Sequence, residues 1–327
     1  MERPLDRRRF LRLAGTSLGI GALFTVAPEL ALGQEGSRLS RVLDRLNGEP
    51  PATFSFVQLS DTHVGFQGPP APLGTEAFEG AVRMINRLAP HPDLVIVTGD
   101  LTHDTEDPGL HAKRMELFKQ IAGRLGAAKL VSVPGENDAA LDGGALYREH
   151  FGETYYSFDH RGVHFVALDN VSRGRPEVGA EQLAWLKRDL ARFPSTAPII
   201  VFTHRPLFDL RPDWEWFTSD GAEVMSTLAP YENVTVLYGH IHRQHGHQIG
   251  GIKHYAARSL IFAFPDPADS GAKKPLPFDK AAPFKNLGVR FVQDNAPVGI
   301  DDVELTMREF SGTVGANQIL KDGAEND

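Results

Sequence analysis

The 327-residue sequence contains no cysteine. This absence excludes disulfide bonds, thiolate metal sites and a cysteine nucleophile, so any bound metal must be held by His, Asp, Glu or Asn. Basic residues are also in deficit, because 34 Lys and Arg face 42 Asp and Glu and the formal net charge is −8. A protein with this balance is not expected to present a nucleic-acid-binding surface or a basic surface for anionic lipid.

Long hydrophobic runs are missing as well. The apolar stretch at residues 13–27 is interrupted by glycine and is shorter than the ~20 residues that a membrane-spanning helix needs. It follows Arg7 and Arg8 and precedes small residues near 31–33, a pattern that resembles a twin-arginine export signal. We therefore predict a cleaved signal peptide at residues 1–33, no stable membrane span, the twin-arginine translocation machinery as export partner, and a periplasmic or extracellular protein.

The rest of the chain has the composition of a globular protein, with 41% hydrophobic and 23% charged residues. We predict a linker with a lead-in helix at 34–52, one catalytic domain at 53–310 and a polar tail at 311–327. Within the domain, short apolar runs alternate with amphipathic helical patterns, which indicates an α/β fold. The runs lie at 54–59, 94–97, 130–133, 163–168, 199–202 and 234–237. The helical stripes are Phe78, Val82, Ile85 and Leu88, then Phe118, Ile121 and Leu125, then Leu183, Leu186, Leu190 and Phe193. Further strands are predicted at 255–264, 289–292 and 303–307, as the edge of a second sheet.

Five of the apolar runs end in residues that can bind a metal. The segments are Asp61-Thr62-His63, Gly99-Asp100, Pro134-Gly135-Glu136-Asn137-Asp138, His204-Arg205-Pro206 and Gly239-His240-Ile241-His242. Each segment alone is a weak motif. However, loops at the carboxyl ends of strands in an open α/β sheet converge on one crevice, so these side chains are expected to meet there.

The five segments in this order resemble the motifs of the calcineurin-like metallophosphoesterases, over roughly residues 54–264. The resemblance implies a four-layer α/β/β/α sandwich with two mixed sheets flanked by helices. It also implies two divalent or trivalent transition-metal ions, of manganese, iron or zinc. Carried over by motif, one ion would be held by Asp61, His63, Asp100 and His242, and the other by Asp100, Glu136, His204 and His240. The implied function is hydrolysis of small phosphodiesters or phosphomonoesters, with a metal-bridging hydroxide as nucleophile.

The third motif departs from the family pattern, which usually reads Gly-Asn-His-Asp. A gap-free alignment puts Glu136 in the ligand position and Asn137 in the position of the family's histidine, which is aimed at the leaving group. A shift by one residue would instead make Asn137 the ligand. In the gap-free alignment, Asn137 can donate a hydrogen bond to a phosphoryl oxygen but cannot give up a proton near pH 7.

Two further features of the sequence leave alternatives open. His103, three residues after Asp100, could be an extra ligand, as its position is in the purple acid phosphatases, or a substitute acid, or a solvated loop residue. Trp214, Trp216 and Phe217 could form an aromatic wall for a substrate ring or pack as an ordinary loop. If the altered third motif abolishes useful turnover, the alternative function is a phosphate or nucleotide sensor of the same fold.

Overall fold

The fold is known from a computed structural model that describes residues 54–88, 91–126, 128–294 and 300–306. The predicted signal peptide, linker and polar tail lie outside these residues. The strands are β1 (Phe54–Leu59), β2 (Leu94–Thr98), β3 (Lys129–Val133), β4 (Tyr156–His160), β5 (Val163–Ala167), β6 (Pro198–Phe202), β7 (Asn233–Tyr238), β8 (His245–Ile249), β9 (Ile252–Ala256), β10 (Gly288–Asp294) and β11 (Ile300–Thr306). The helices are α1 (Gly74–Ile85), α2 (Pro108–Ala122), α3 (Glu136–Ala139), α4 (Ala145–Phe151), α5 (Ala180–Leu190) and α6 (Gly221–Leu228), with a 3-10 helix at Pro212–Trp214.

These strands form two mixed sheets. The first has the order β11-β10-β1-β2-β3, and its β1, β2 and β3 are parallel to one another. The second has the order β4-β5-β6-β7-β9-β8, with β5, β6, β7 and β9 parallel. Each sheet therefore gathers the carboxyl ends of its parallel strands along one edge, where the predicted ligands follow the strands.

Side chains along each strand point alternately to the two faces of its sheet, and the core is accordingly divided into three apolar layers. Val57 of β1 faces outward and packs with helices α1, α2 and α4, where the rings of Phe78 and Phe118 stack 4.9 Å apart. Phe56 points the other way, into the layer between the sheets, and meets Phe165 of β5 at 6.0 Å. A third layer joins the second sheet to α5 and α6. The order of layers is α/β/β/α, which confirms the predicted fold class.

The predicted amphipathic helices are present as α1, α2 and α5. The last residue of each predicted stripe lies just beyond the helix end, because burial continues into the following turn: Leu88 and Leu125 remain in the first apolar layer, and Phe193 contacts the His164 ring at 4.0 Å. Among the helices of the described residues, none combines the length and the apolar character that crossing a membrane would require.

The carboxyl-terminal part of the prediction is wrong in two respects. The predicted strand at 255–264 ends at Ala256, after which Leu260 turns toward β1 and its amide donates to the carbonyls of Ser60 and Asp61, 3.2 Å from each. The rest of the stretch is a loop that packs against the metal-ligand turns. Its apolar character reflects this packing and not a strand. In addition, β10 and β11 belong to the first sheet, where β10 pairs with β1, and the edge of the second sheet is β8.

Candidate metal centre

The seven predicted ligands lie together where the parallel edges of the two sheets meet. Those of the first sheet follow β1, β2 and β3 and are Asp61, His63, Asp100 and Glu136. Those of the second sheet follow β6 and β7 and are His204, His240 and His242. All except Glu136 are buried, and Glu136 is half-buried. The side chains form two groups in which the ligand atoms of each group lie within 4.8 Å of one another.

The first group consists of Asp61, His63, Asp100 and His242. The Nε2 atom of His63 is 3.3 Å from Asp100 Oδ2 and 3.3 Å from His242 Nε2. His242 Nε2 is in turn 3.4 Å from Asp61 Oδ1. Two imidazoles and two carboxylates that present their polar atoms to one point form a donor set suited to a transition-metal ion.

The second group consists of Glu136, His204 and His240. Glu136 reaches both histidines, with Oε2 at 2.9 Å from His204 Nε2 and Oε1 at 2.8 Å from His240 Nδ1. His204 Nε2 is also 3.5 Å from Asp100 Oδ2, the same oxygen that faces His63. Asp100 therefore stands between the groups, as a bridging carboxylate would.

In three of the four histidines, the ring nitrogen turned away from the ligand group faces a backbone carbonyl. Backbone carbonyls lie 2.7 Å from His204 Nδ1 (Thr98), 3.1 Å from His240 Nε2 (Glu215) and 2.9 Å from His242 Nδ1 (Phe262). Because a carbonyl can only accept, each ring must donate there, and its other nitrogen then offers a lone pair to the group. Metal-binding histidines are usually held in this way.

The backbone at the site is strained. Of the eight non-glycine residues with positive φ in the described part of the chain, five are predicted ligands. They are Asp61 at 52°, His63 at 39°, Asp100 at 49°, His240 at 66° and His242 at 53°. Such angles cost about 1–3 kcal/mol each and persist only where surrounding contacts enforce them. Here the amides of Asp61 and His63 donate to the carbonyls of Gly99 (3.1 Å) and Asp100 (2.9 Å) in the neighbouring turn.

Two glycines let these turns approach one another. A Cβ atom at Gly135 would fall on the carboxylate and amide of Asp100, and one at Gly239 would fall on the hydroxyl of Ser60. No side chain fits at either position. The backbone at each glycine therefore lies directly against the neighbouring turn. This close packing fixes the spacing of the ligands on these turns, which are Asp61, Asp100, Glu136 and His240.

The polar atoms of the second group fit a cation. Within the described residues, Glu136 Oε2 and His204 Nε2 are buried and face each other at 2.9 Å, but neither makes a hydrogen bond of suitable geometry, a costly state for polar atoms unless something else satisfies them. Burial alone would lower the pKa of His204, but the charges of Asp100 and Glu136 outweigh burial and raise it well above its usual value. The carboxylates thus draw positive charge to this point, and a metal ion would replace that proton.

Of the two residues predicted to act on the substrate, Asn137 lies beside the Asp100 carboxylate and His103 lies beside His63. Asn137 Nδ2 donates to Asp100 Oδ2 at 2.8 Å, and its backbone amide donates to Asp100 Oδ1 at 2.9 Å. His103 lies on the first group's side, with its Nδ1 atom 3.4 Å from His63 Nδ1 and its ring against Phe66. This geometry favours the gap-free alignment, because Glu136 and not Asn137 faces the two histidines of the second group.

The role of Asp138 could not be deduced from the sequence. Its carboxylate is fully buried and accepts from the amides of Gly135 and Leu101 and from both the amide and the hydroxyl of Thr102, each at 2.9 Å. It therefore ties the turn after β3 to the turn after β2. Burial and the charge of Asp100 raise the pKa of Asp138 to about 7.

The aromatic rings beside the ligands are not those named from the sequence, among which Phe217 is half-buried and the two tryptophans are buried. Trp214 and Trp216 are buried in a satellite cluster, so their loop packs on the domain. The half-buried rings beside the ligands are Phe66, Phe262 and Phe264, and the last two lie 4.7 and 4.9 Å from the His242 ring. No sequence motif marks these phenylalanines as part of the site. Phe262 and Phe264 lie in an apolar stretch that predicts a strand.

The chain is similar in sequence and in fold to known phosphoesterases. Residues 54–244 match the calcineurin-like phosphoesterase family. A probable glycerophosphodiester phosphodiesterase GpdQ of Arcobacter nitrofigilis is 31% identical over 206 residues, which cover 57% of this chain and 71% of that protein. The 3',5'-cyclic adenosine monophosphate phosphodiesterase CpdA of Escherichia coli is 27% identical over 214 residues, 59% of this chain and 71% of that one. A dimetal phosphatase from Danio rerio shares the fold, with a TM-score of 0.56 at 13% identity over 78% of this chain and 99% of that chain.

Proposed function

This chain belongs to the calcineurin-like phosphoesterase family, and on that premise we propose that it is a binuclear metal-dependent hydrolase of phosphodiesters or phosphomonoesters. The observation that carries the proposal is the position of Asp100 Oδ2, which faces His63 of one ligand group and His204 of the other. A shared carboxylate of this kind suits two ions held close together. Relatives named as phosphodiesterases support the same reaction class.

The ligand sets we propose are Asp61, His63, Asp100 and His242 for one ion and Asp100, Glu136, His204 and His240 for the other. When bound, two transition-metal ions supply a nucleophile from water at neutral pH and offset charge on the phosphoryl oxygens. Only His, Asp and Glu bind them, which favours manganese, iron or zinc over calcium. The strained, carbonyl-anchored turns hold these ligands in position before a metal arrives, so little reorganisation is needed on binding.

Asn137 and His103 would act on the substrate. The Asn137 amide carries two N–H bonds, one of which Asp100 accepts, so the other can donate to a phosphoryl oxygen. It cannot protonate a leaving alkoxide. His103, whose ring interacts with the Asn137 side chain, is the group within reach that could take that role.

The decisive experiment combines metal analysis with turnover. Purified protein is treated with chelator, loaded with manganese, and assayed with bis(4-nitrophenyl) phosphate. We expect about two ions per chain and metal-dependent release of nitrophenolate. Asp100→Asn should lose both, whereas Glu106→Gln, which removes an exposed carboxylate from the same loop, should lose neither. Equal behaviour of the two variants would exclude the proposed centre.

A second candidate function follows from Asn137 itself. If the absence of an acid at this position abolishes turnover, the protein would bind phosphate or a nucleotide as a sensor. The same experiment separates the two functions, since a sensor retains two ions and binds phosphate, yet releases no nitrophenolate at any metal concentration.

We propose, finally, that the protein acts outside the cytoplasm after export by the twin-arginine route. The support is the pair Arg7 and Arg8 before a modest apolar run, in a part of the chain outside the described residues. The route carries folded proteins, so it suits an enzyme that binds its metals before export.

A further inference from the structure

A turn in the second half of the chain holds two cationic side chains beside the second ligand group. The turn consists of the 3-10 helix Pro212–Trp214 and Glu215, whose φ of 59° is left-handed. The Glu215 carbonyl accepts from the Arg205 guanidinium at 2.9 Å and from His240 Nε2 at 3.1 Å. The neighbouring Trp214 carbonyl accepts from Lys273 Nζ at 3.0 Å. One turn thus positions a predicted ligand and two cations together.

Arg205 contacts the second ligand group directly. It is 7% exposed, and its Nε atom lies 3.5 Å from Glu136 Oε2. It therefore offsets the carboxylate that this chain carries where the family pattern has an uncharged asparagine. A guanidinium has five N–H bonds, and the contacts to Glu136 and Glu215 leave others for an anion.

Lys273 comes from the loop after Phe264 and reaches the turn at Trp214. Its ammonium lies 5.7 Å from the centre of the Phe264 ring, which is one of the aromatic rings beside the ligands. Although the residue as a whole is exposed, protein around the ammonium withdraws it from water and lowers its pKa, against the opposing charges of Glu136 and Asp100. An ammonium has three N–H bonds, and Trp214 takes one, so the side chain can still donate to a ligand.

The charges at the centre determine which anion these cations suit. Two divalent ions carry four positive charges, and Asp61, Asp100, Glu136 and a hydroxide carry four negative ones, so the metal centre itself would be close to neutral. The attraction for substrate then depends on Arg205 and Lys273. At neutral or mildly alkaline pH a phosphomonoester carries nearly two negative charges, because its second pKa is about 6, and a phosphodiester carries only one.

We propose that Arg205 and Lys273 form an anion subsite that binds the non-bridging oxygens of a phosphate dianion, so that the enzyme selects phosphomonoesters over phosphodiesters. This inference rests on the proposed function, in which the metal centre takes the phosphoryl group. Arg205 gives a fixed, buried donor beside Glu136, and Lys273 reaches the same turn from its own loop. Lys273 lies outside the motifs that identify the metal ligands, and Arg205 directly follows the predicted ligand His204.

The test uses two substrates with the same leaving group, 4-nitrophenyl phosphate and bis(4-nitrophenyl) phosphate, at pH 8. Lys273→Met should raise KM for the monoester by about 10-fold, since a hydrogen bond to a charged group contributes at least a factor of that size. The KM for the diester should change by less than about 3-fold, and kcat should be retained for both. Lys273→Arg should restore the monoester KM. The matched control is Lys274→Met, an exposed neighbour in the same loop, which should leave both constants unchanged.

A purely structural lysine that only anchors its loop would give a different result. Lys273→Met would then raise the KM for both substrates equally, or for neither, and the subsite would be refuted. Calorimetric titration of manganese-loaded protein with inorganic phosphate provides a readout without turnover: we expect about 10-fold weaker binding in Lys273→Met than in Lys274→Met. If the wild type hydrolyses neither ester, the proposed function fails, while the phosphate titration still decides the subsite. Equal phosphate affinity in the two variants overturns it.

Discussion

The buried carboxylate of Asp138 permits a quantitative prediction about stability. Its two oxygens accept four hydrogen bonds, three from backbone amides and one from the Thr102 hydroxyl. Asp138→Ala removes every acceptor at once and leaves the amides of Leu101, Thr102 and Gly135 without one, and neither Leu101 nor Thr102 is exposed to water. A buried unsatisfied donor costs about 1–3 kcal/mol.

The expected loss is the sum over the three amides, reduced where the turn can relax or admit water. We expect Asp138→Ala to lower the free energy of unfolding by roughly 3–6 kcal/mol, a large share of the about 5–15 kcal/mol that is typical of a folded protein. Asp138→Asn keeps one acceptor oxygen and should lose less. The second consequence is local, because the turns bearing Asp100 and Glu136 are no longer tied together and metal affinity should fall.

The assay is urea unfolding followed by tryptophan fluorescence, at one fixed metal concentration because bound metal adds to apparent stability. The control is Asp142→Ala. The Asp142 carboxylate also accepts from three amides, those of Gly144, Ala145 and Leu146, but the residue is exposed, so water can replace it. Its loss should be about 1 kcal/mol, as for an ordinary helix cap. If both variants lose the same amount, burial does not determine the contribution of Asp138.

Four further predictions address the site, the leaving group, pH and export. Asp100→Asn should reduce bound metal from about two ions to fewer than one per chain, and elemental analysis that finds both ions retained would contradict a bridging role. In a His103→Ala background, Asn137→His should speed hydrolysis of alkyl esters by ~10²–10⁴-fold and that of aryl esters much less, and equal gains would rule out a leaving-group role. Burial, aided by the charges of His247 and His245, lowers the pKa of His254 from 6.5 to about 3, so the unfolded chain binds a proton below pH 6.5 that the folded protein does not. The free energy of unfolding should therefore fall as pH falls from 6.5, by roughly 2 kcal/mol at pH 5. Denaturation measured at pH 7 and pH 5 should show that His254→Phe removes this pH dependence. An unchanged pH dependence in the variant would assign the effect to other groups. Replacing Arg7 and Arg8 with lysine should leave precursor in the cytoplasm of a bacterial host, and normal export of that variant on an immunoblot would refute the twin-arginine route.

Much of the fold and the ligand set could be predicted because local patterns carry them. A buried parallel strand appears in the sequence as an apolar run. The residues that follow it lie at the carboxyl end of the strand, where α/β sheets bind their ligands. Asp61 and Asp100 could therefore be assigned before their contacts were known. The pairing of β10 with β1 could not be predicted, since it joins residues as far apart in sequence as Phe54 and Asp294 and leaves no local periodicity.

The residues around the ligands were harder to predict for a related reason. Lys273 depends on a single carbonyl in a turn 59 residues earlier, and many exposed loop lysines have the same sequence context. Asp138 belongs to a recognised motif, yet its role depends on three amides from two different turns. Phe262 was assigned to a strand because burial against His242 produces the same apolar signal as burial in a sheet.

The close contacts at Gly135 and Gly239 determine which parts of this protein can acquire new specificity. Any added side chain there would strike the carboxylate of Asp100 or the hydroxyl of Ser60, so a substitution at either glycine would displace the ligand turns themselves. The rim at residues 205–218 and 262–283 anchors two ligands through the backbone carbonyls of Glu215 and Phe262. A substitution of a rim side chain leaves these carbonyls in the chain and can change the surface offered to a substrate. Libraries for directed evolution toward a new phosphoester should therefore be confined to that rim, where variation and metal binding are physically separable.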